Sequence, residues 1–343
     1  MKKFWVLFIL VIAVVGCNNK ANVKKVDNTY SIKYNDDYYP IFMPYKEGVG
    51  NNYILNSNVV DFDMDTIEKE LIQISTIKFS VDKYYYQEGQ YLTKNNLVEL
   101  LDDEHLNDFD KEKIDGKNVK PVVVSGIIEK NFLNKSGDIK GISIGIILNK
   151  YQRYDSNNNY VEMDHDRVVK IGKSAGKQVV KNLRKNKKLN NVPILVALYI
   201  ESSPRSNIGG TYYYYGVTDN DEISYESIDQ KKYYMNNQNV KKMNLESYNN
   251  FRSFEEKIKN HDNTIYVSGL GNFEKDNLER LEIVVTKNHY TYGDLLYINQ
   301  LLSDNSIKYF DDTKVIIKVK AVNDIKSYIV KEKGQTSTDI FIY

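Results

Sequence analysis

Cysteine and tryptophan are almost missing from this 343-residue sequence, which contains one of each, Cys17 and Trp5. A lone cysteine excludes an intramolecular disulfide and a cysteine-based zinc site. The 4 histidines are scattered along the chain, which argues against a histidine-ligated metal centre. We therefore expect neither a metal site nor a cofactor.

An excess of charge of either sign is also missing. Lys and Arg number 47 and Asp and Glu number 46, so the formal net charge is +1. Proteins that bind nucleic acid usually carry a basic excess or basic clusters, and this balance argues against such a partner. With 41% hydrophobic and 27% charged residues, the composition is typical of a globular protein.

Long hydrophobic runs are rare as well. The run from Phe4 to Val15 is too short for a membrane-spanning helix, which needs about 20 apolar residues. Lys2 and Lys3 precede it, and Gly16 and Cys17 follow it. A positive start, an apolar stretch and a small residue before cysteine are typical of a bacterial lipoprotein signal peptide. We therefore expect cleavage between Gly16 and Cys17 and lipid attachment to the Cys17 thiol.

This interpretation predicts a signal peptide over 1–16 and a polar, lipidated tether over 17–29. The membrane would then be a partner through the N-terminal lipid, and the folded body would lie on the extracytoplasmic face of the cell membrane. Two alternatives stay open at this point. One is an ordinary signal peptide with an incidental cysteine, and the other is an uncleaved anchor.

The remainder of the chain predicts an α+β fold of mainly antiparallel sheets with flanking helices, because strands outnumber crossover helices and are often joined by short turns. Two subdomains are expected, 30–155 and 156–343, divided at the polar stretch 154–159. A weak internal duplication is a further hypothesis, since Tyr91–Asp103 resembles Tyr292–Asp304. Helical spacing and caps predict helices from Asp65, from Thr93, and over Val168–Leu183, Leu245–Ile258 and Tyr292–Leu302. Strand signals cover Tyr84–Tyr86, Val122–Phe132, Ile139–Leu148, Ile194–Ile200, Tyr212–Val217, Thr264–Ser268, Leu281–Thr286, Val315–Val319, Tyr328–Val330 and Ile340–Tyr343.

Several fragments imitate known sites without completing them. Gly172–Lys177 lacks the first glycine of a phosphate-binding loop and falls inside a predicted helix. Gly269 and Gly271 follow a predicted strand, and a tight turn is the preferred interpretation there. No nucleophile elbow, zincin motif or Cys–His pair occurs. The sequence thus predicts a non-enzymatic protein, although its many carboxylates leave an acid–base pair open.

Four segments carry a family resemblance: Phe79–Leu92, Gly141–Asn149, Val192–Tyr199 and Tyr292-Gly293. They are similar to segments of CamS lipoproteins, the sex pheromone precursors of low-GC Gram-positive bacteria. The resemblance implies a lipoprotein whose signal peptide releases a short apolar peptide, within Leu10–Gly16 in this chain. It supplies no catalytic residues.

The function of the folded body stays open between three hypotheses: a pheromone precursor with a non-enzymatic body, a cell-envelope lipoprotein that binds a ligand or partner without any pheromone role, and, less favoured, an envelope hydrolase. A bound peptide, glycan or envelope protein would need an exposed polar or aromatic surface. The candidate binding residues are Glu88, Gln90 and Tyr91, around Gly89, where we expect a turn with positive φ. The 29 tyrosines either line such a surface or simply fill strands.

Overall fold

The structure is a computed structural model that describes residues 38–49, 64–102, 106–220 and 222–343. The predicted signal peptide, its cleavage site at Gly16 and Cys17, and the tether over 17–29 lie outside the described residues. Within the described residues, no helix is both long enough and apolar enough to cross a bilayer.

The described residues contain six helices and sixteen strands. The helices are α1 (Met64–Ser75), α2 (Lys94–Leu97, continued by a π-helical turn over Val98–Asp102), α3 (His165–Arg184, followed by a 3₁₀ turn over Lys187–Leu189), α4 (Gln238–Met243), α5 (Leu245–His261) and α6 (Tyr292–Tyr309). The strands are β1 (Tyr85–Glu88), β2 (Glu112–Ile114), β3 (Lys117–Val119), β4 (Val124–Leu133), β5 (Ile139–Leu148), β6 (Tyr151–Arg153), β7 (Tyr160–Glu162), β8 (Ile194–Ile200), β9 (Thr211–Thr218), β10 (Ser224–Ser227), β11 (Gln230–Tyr234), β12 (Tyr266–Glu274), β13 (Asn277–Lys287), β14 (Lys314–Ala321), β15 (Asp324–Lys331) and β16 (Asp339–Ile342).

Two six-stranded sheets form the framework, with strand orders β1-β4-β5-β8-β9-β10 and β11-β12-β13-β14-β15-β16. All neighbours are antiparallel except the central pairs β5/β8 and β13/β14, which are parallel. A parallel pair needs a long connection, and α3 and α6 supply it. The predicted α+β class with mainly antiparallel sheets is confirmed. β2/β3 and β6/β7 form two small additional ladders.

The two sheets repeat one topology: the same strand order, the same directions and a helix crossing between the central strands. This likeness supports an internal duplication at the level of the fold. The segment match that suggested it pairs unlike elements, however. The first segment contains α2, which precedes the β4/β5 hairpin. Tyr292–Asp304 lies in α6, the crossover helix.

The division between the two sheets falls at 228–229, between β10 and β11. The expected subdomain boundary at 155/156 lies inside the β6/β7 ladder instead, and strands on both sides of it belong to the first sheet. The division between the sheets thus lies about one fifth of the chain further along than the expected subdomain boundary. The polar stretch at 154–159 is a turn within a subdomain, since Asp155 accepts backbone N–H groups from Asn157 and Asn159.

The first sheet is covered on both faces. Every residue of β4 and β8 is buried. On one face, α3 packs its apolar stripe of Val168, Ala175, Val179 and Leu183. On the other face, α1 contributes Ile67 and Leu71.

Among the described residues, helices cover the second sheet on one face only. Its strands alternate between buried and half-exposed residues, as in β12 and β14. The helices α5 and α6 pack on the buried face through Phe254, Ile258, Ile298 and Leu302. The half-exposed face is polar and basic at one end, where it meets the first subdomain.

Two glycines lie elsewhere than expected. Gly269 and Gly271 are inside β12 rather than in a turn. Their missing side chains make room for the helix layer, since a Cβ on Gly269 would lie 2.4 Å from the Phe251 ring. The predicted turn is therefore wrong, and close packing is the reason for these glycines.

Candidate functional site

The sequence-predicted residues Glu88, Gln90 and Tyr91 lie at the end of β1, close together in the chain but in different surroundings. Glu88 is buried, and its carboxylate accepts hydrogen bonds from the Tyr86 hydroxyl and from Lys130 Nζ, the latter at 2.6 Å. Lys130 is fully buried and also donates to Glu68 Oε1 at 2.8 Å. We call Glu68, Tyr86, Glu88 and Lys130 the lysine cluster.

The lysine cluster joins three elements: Glu68 on α1, Tyr86 and Glu88 on β1, and Lys130 on β4. Burial and the adjacent Glu88 carboxylate both raise the pKa of Tyr86, which therefore stays a neutral donor. A buried ammonium is stable only when it is paired and hydrogen-bonded, and here two carboxylates satisfy it. The cluster gives Glu88 a structural role, and binding of a ligand by Glu88 stays a prediction.

Gln90 and Tyr91 belong to a loop held by a second buried carboxylate, Glu129. Its oxygens accept backbone N–H groups from Gln90 at 3.1 Å, Tyr91 at 3.1 Å and Leu92 at 2.6 Å. Burial raises the pKa of Glu129, while these three N–H groups act in the opposite direction. The Gln90 side-chain amide donates to three backbone carbonyls, including that of Glu47 at 3.0 Å. A binding role for Gln90 and Tyr91 likewise stays a prediction.

Gly89 does not have the positive φ expected for it. A Cβ at this position would lie 2.4 Å from the Glu129 Cβ and 2.7 Å from the Glu129 carbonyl oxygen. Glycine is therefore required by the close approach of β1 to β4 and not by a turn. The structure thus requires glycine at position 89, as expected, but the reason is close packing and not a positive φ.

A groove lies where α1 of the first subdomain meets the start of the second. Two adjoining clefts of about 300 Å³ and 500 Å³ form it, and both are lined by Glu70, Gln73, Gln230 and Glu274. We call them together the junction groove.

A row of polar side chains from four adjacent strands lines the narrower cleft. Lys232 is paired with Asn272, Asn272 with Arg280, and Arg280 with Lys314 in the strand register. Directly paired residues lie on the same face of a sheet, about 5 Å apart. Three cations and one amide therefore line up across the half-exposed face of the second sheet.

Each cation of this row has a carboxylate neighbour, so the row is not a bare positive patch. Lys232 also donates to the Gly210 carbonyl at 2.9 Å, which ties the two subdomains together. The three ion pairs are Lys232–Glu70, Arg280–Glu282 at 2.9 Å and Lys314–Glu332 at 2.9 Å.

Two atoms of the row are buried without a hydrogen-bond partner, the Asn272 Oδ1 acceptor and the Arg280 Nε donor. An unsatisfied buried polar atom costs about 1–3 kcal/mol, and a water molecule or a polar ligand group in the cleft would satisfy either atom. The sequence analysis did not find this groove. Its residues come from seven elements, α1 and the six strands β9 to β14, and no local pattern marks them as neighbours.

Within the described residues, no group of three or more His, Cys, Asp or Glu side chains is placed to hold a metal ion. The carboxylates of Glu70 and Glu279, which line the groove, each pair with a lysine, Lys232 and Lys333 respectively. Each of these two acids therefore has a cationic partner.

The model of the family described as CamS sex pheromone cAM373 precursor matches residues 45–337. The chain belongs to the CamS family. The resemblance read from the sequence is thereby confirmed. The CamS match covers most of the chain, from before β1 to the end of β15, so it includes the first sheet and all of the second sheet except β16. It begins after the apolar segment at Phe4–Val15.

Two solved structures share the CamS fold. A sex pheromone precursor from Lactobacillus salivarius subsp. salivarius UCC118 superimposes with a TM-score of 0.82 at 24% identity, over 90% of this chain and 97% of that chain. The C-terminal domain of the sex pheromone staph-cAM373 precursor from Staphylococcus aureus gives a TM-score of 0.71 at 24% identity, over 82% of this chain and 96% of that chain. At this identity the likeness concerns the fold. Among curated proteins, none matches the chain significantly.

Proposed function

We propose that this CamS protein is a lipoprotein anchored to the extracytoplasmic membrane face through Cys17, whose signal peptide yields a short apolar peptide ending at Gly16. The supporting observation is the pairing of two features in one chain. The body matches a family described as a pheromone precursor. The N-terminus carries one cysteine directly after a charged start, an apolar run and a small residue.

Mass spectrometry tests both parts of this proposal. Intact-mass analysis of the membrane fraction is expected to show a lipid-modified chain beginning at Cys17. Culture medium is expected to contain a fragment ending at Gly16 or trimmed from it. In the matched variant Cys17→Ala, lipid modification and cleavage are both expected to be lost. A chain without lipid at Cys17 would refute the anchor, and a lipidated chain with no fragment in the medium would refute peptide release.

A second role concerns the folded body: the junction groove binds a polar, uncharged envelope ligand, either a glycan or an extended peptide. The unpartnered Asn272 Oδ1 and Arg280 Nε support it, since one offers an acceptor and the other a donor. The neighbouring cations are already paired, which favours a neutral ligand over an anion. One acceptor and one donor match the hydroxyl, amide and carbonyl groups of a glycan or a peptide.

Two uncharged probes test the groove, an N-acetylglucosamine trimer and a tetra-alanine peptide blocked by an acetyl and an amide group. Each is titrated into the protein and followed by amide NMR shifts. One probe is expected to shift resonances of β12 and β13. Asn272→Leu is expected to weaken the affinity for that probe by about tenfold, because it removes the acceptor. Lys308→Met, in a separate polar cleft, is the matched control. Shifts confined to residues outside the groove, or no shift with either probe, would contradict groove binding.

A further inference from the structure

The outermost strands of the two sheets differ in how their free edges are protected. Next to β1, the preceding segment adds backbone bonds: the Phe42 N–H donates to the Tyr86 carbonyl and the Tyr86 N–H donates to the Pro40 carbonyl, both at 2.8 Å. β10 carries two serines and a glutamate. β11 is half-buried against the first subdomain, where Lys232 is ion-paired. Charges and covers of this kind prevent an edge from pairing with another chain.

Within the part of the chain that the structure describes, β16 has neither a covering segment nor a basic residue. Ile340, Phe341 and Ile342 are 40%, 53% and 40% exposed, and the following Tyr343 is 76% exposed. The strand contains no proline and no lysine, and Asp339 is its one charged residue. An exposed, apolar edge strand is a template for pairing with another strand.

The backbone of β16 shows which groups are available. Tyr343 donates its N–H to the Lys326 carbonyl of β15 at 3.0 Å. In an antiparallel ladder, alternate residues direct their N–H and C=O groups to one neighbour. Phe341 therefore points its backbone groups toward β15, with Tyr343. Ile340 and Ile342 point theirs to the free edge.

We propose that β16 pairs antiparallel with β16 of a second copy of this chain, which joins the two second sheets across a twofold axis. In the register centred on Phe341, Ile340 exchanges backbone hydrogen bonds with Ile342 of the second copy. Phe341 then lies on the axis opposite Phe341 of the second copy, and Asp339 lies opposite Tyr343 of the second copy.

Self-pairing is favoured over pairing with an unrelated strand because the edge is complementary to itself. Each apolar residue meets an apolar residue, and the one carboxylate never meets itself across the strands. A shift of the register by two residues places Asp339 opposite Phe341 or shortens the overlap. The interface is a closed, isologous one, and further copies cannot add to the same edge.

Single-cysteine crosslinking tests this register in a chain expressed from residue 17, without the signal peptide and with Cys17→Ala, which contains no cysteine. Phe341→Cys places two thiols at a non-hydrogen-bonded pair with Cα atoms about 4.5 Å apart, within disulfide range. Asp339→Cys is the matched control, because the two copies of position 339 are separated by four residues along the strands. Under mild oxidation, Phe341→Cys is expected to form covalent dimers about tenfold faster than Asp339→Cys.

A proline variant shows that the crosslink depends on the edge. Ile342→Pro removes an N–H that points outward, so it leaves the β15 ladder intact and is expected to abolish crosslinking of Phe341→Cys without changing the circular dichroism spectrum. Equal crosslinking rates at 339 and 341 would overturn the proposal. So would crosslinking at 341 that survives Ile342→Pro with the fold unchanged, or monomers in analytical ultracentrifugation at all concentrations.

Discussion

Replacement of Lys130 by methionine tests the energetic role of the lysine cluster. Methionine keeps most of the length and volume of the side chain but removes the ammonium. Glu88, whose side chain is 10% exposed, is then left without its cationic partner, whereas Glu68, at 29%, can regain water more readily. We expect the protein to be strongly destabilised, since the buried Glu88 carboxylate would keep the hydrogen bond from Tyr86 but lose its positively charged partner.

The magnitude follows from the burial of the pair. Removing one partner of a buried ion pair costs about 3–5 kcal/mol. Partial rehydration of Glu68 and the apolar contacts of methionine reduce that cost, so we expect about 3 kcal/mol. For a subdomain of this size, that corresponds to a fall in melting temperature of roughly 10 °C. Thermal and urea unfolding, followed by circular dichroism, measure both quantities.

Lys69→Met is the matched control. Lys69 also holds a carboxylate, that of Asp65 at 2.6 Å, but its side chain is 68% exposed. Its loss is expected to cost about 0.5 kcal/mol or less. The double variant Lys130→Met with Glu88→Gln is expected to recover at least half of the lost stability, because no uncompensated charge remains at Glu88. If Lys130→Met and Lys69→Met destabilised equally, the reasoning about buried charge would be refuted.

Three further predictions follow from single positions. Burial raises the pKa of Glu201 to about 8 from its ordinary value of 4.5, so the stability of the wild type is expected to fall relative to that of Glu201→Gln as pH rises from about 4.5 to 8. A difference in urea midpoint between the two proteins that stayed constant over this pH range would contradict this. Gly89→Ala is expected to lower the free energy of unfolding by more than about 2 kcal/mol, because the new Cβ would overlap Glu129. Gly293→Ala, in the first turn of α6 with open space around it, should be neutral or stabilising, and changes in melting temperature of similar size and sign for the two variants would count against the packing argument. Thr93→Ala is expected to lower the free energy of unfolding by about 1 kcal/mol, because it removes the N-cap hydrogen bond with Asn96, whereas Thr93→Ser should keep most of the wild-type stability in urea unfolding. An equal loss of stability in both variants would exclude capping as the cause.

Elements with a strong local pattern could be predicted from the sequence. The hairpin of β4 and β5 follows from two β-rich runs around a polar turn that contains Gly137, which adopts a φ of +85°. The helix α3 follows from its apolar stripe and from Asp164, whose side chain caps the helix by accepting the Arg167 N–H. Periodicity, caps and turn residues act over a few positions, so they can be read without the fold.

The subdomain boundary could not be read in this way. β10 and β11 are polar strands without an apolar alternation, and the two residues between them contain neither glycine nor proline. The polar stretch at 154–159 gives a stronger local signal than the true division at 228–229. Only the pairing of β5 with β8, which is set by distant residues, shows that both belong to one sheet.

The candidate sites show the same limit. Glu129 and Lys130 are adjacent charges inside β4, whose residues are all buried, and such charges require partners when both faces of a sheet are buried. That signal is visible in the sequence, but the partners are not, since Glu68 and the 90–92 loop come from separate segments. The junction groove carries no comparable mark, because its row depends on the register of four strands.

The unequal covering of the two sheets determines how each strand tolerates change. In β8, both alternating sets of side chains pack against a helix layer, so nearly every polar substitution would place an unsatisfied group in a core. In β14, only Val315, Ile317 and Val319 do so, and the residues between them face water in part. A saturation mutagenesis profile would therefore be continuous along β8 and would alternate with a period of two along β14. Although the two halves share one topology, their sequences are free to diverge at very different rates.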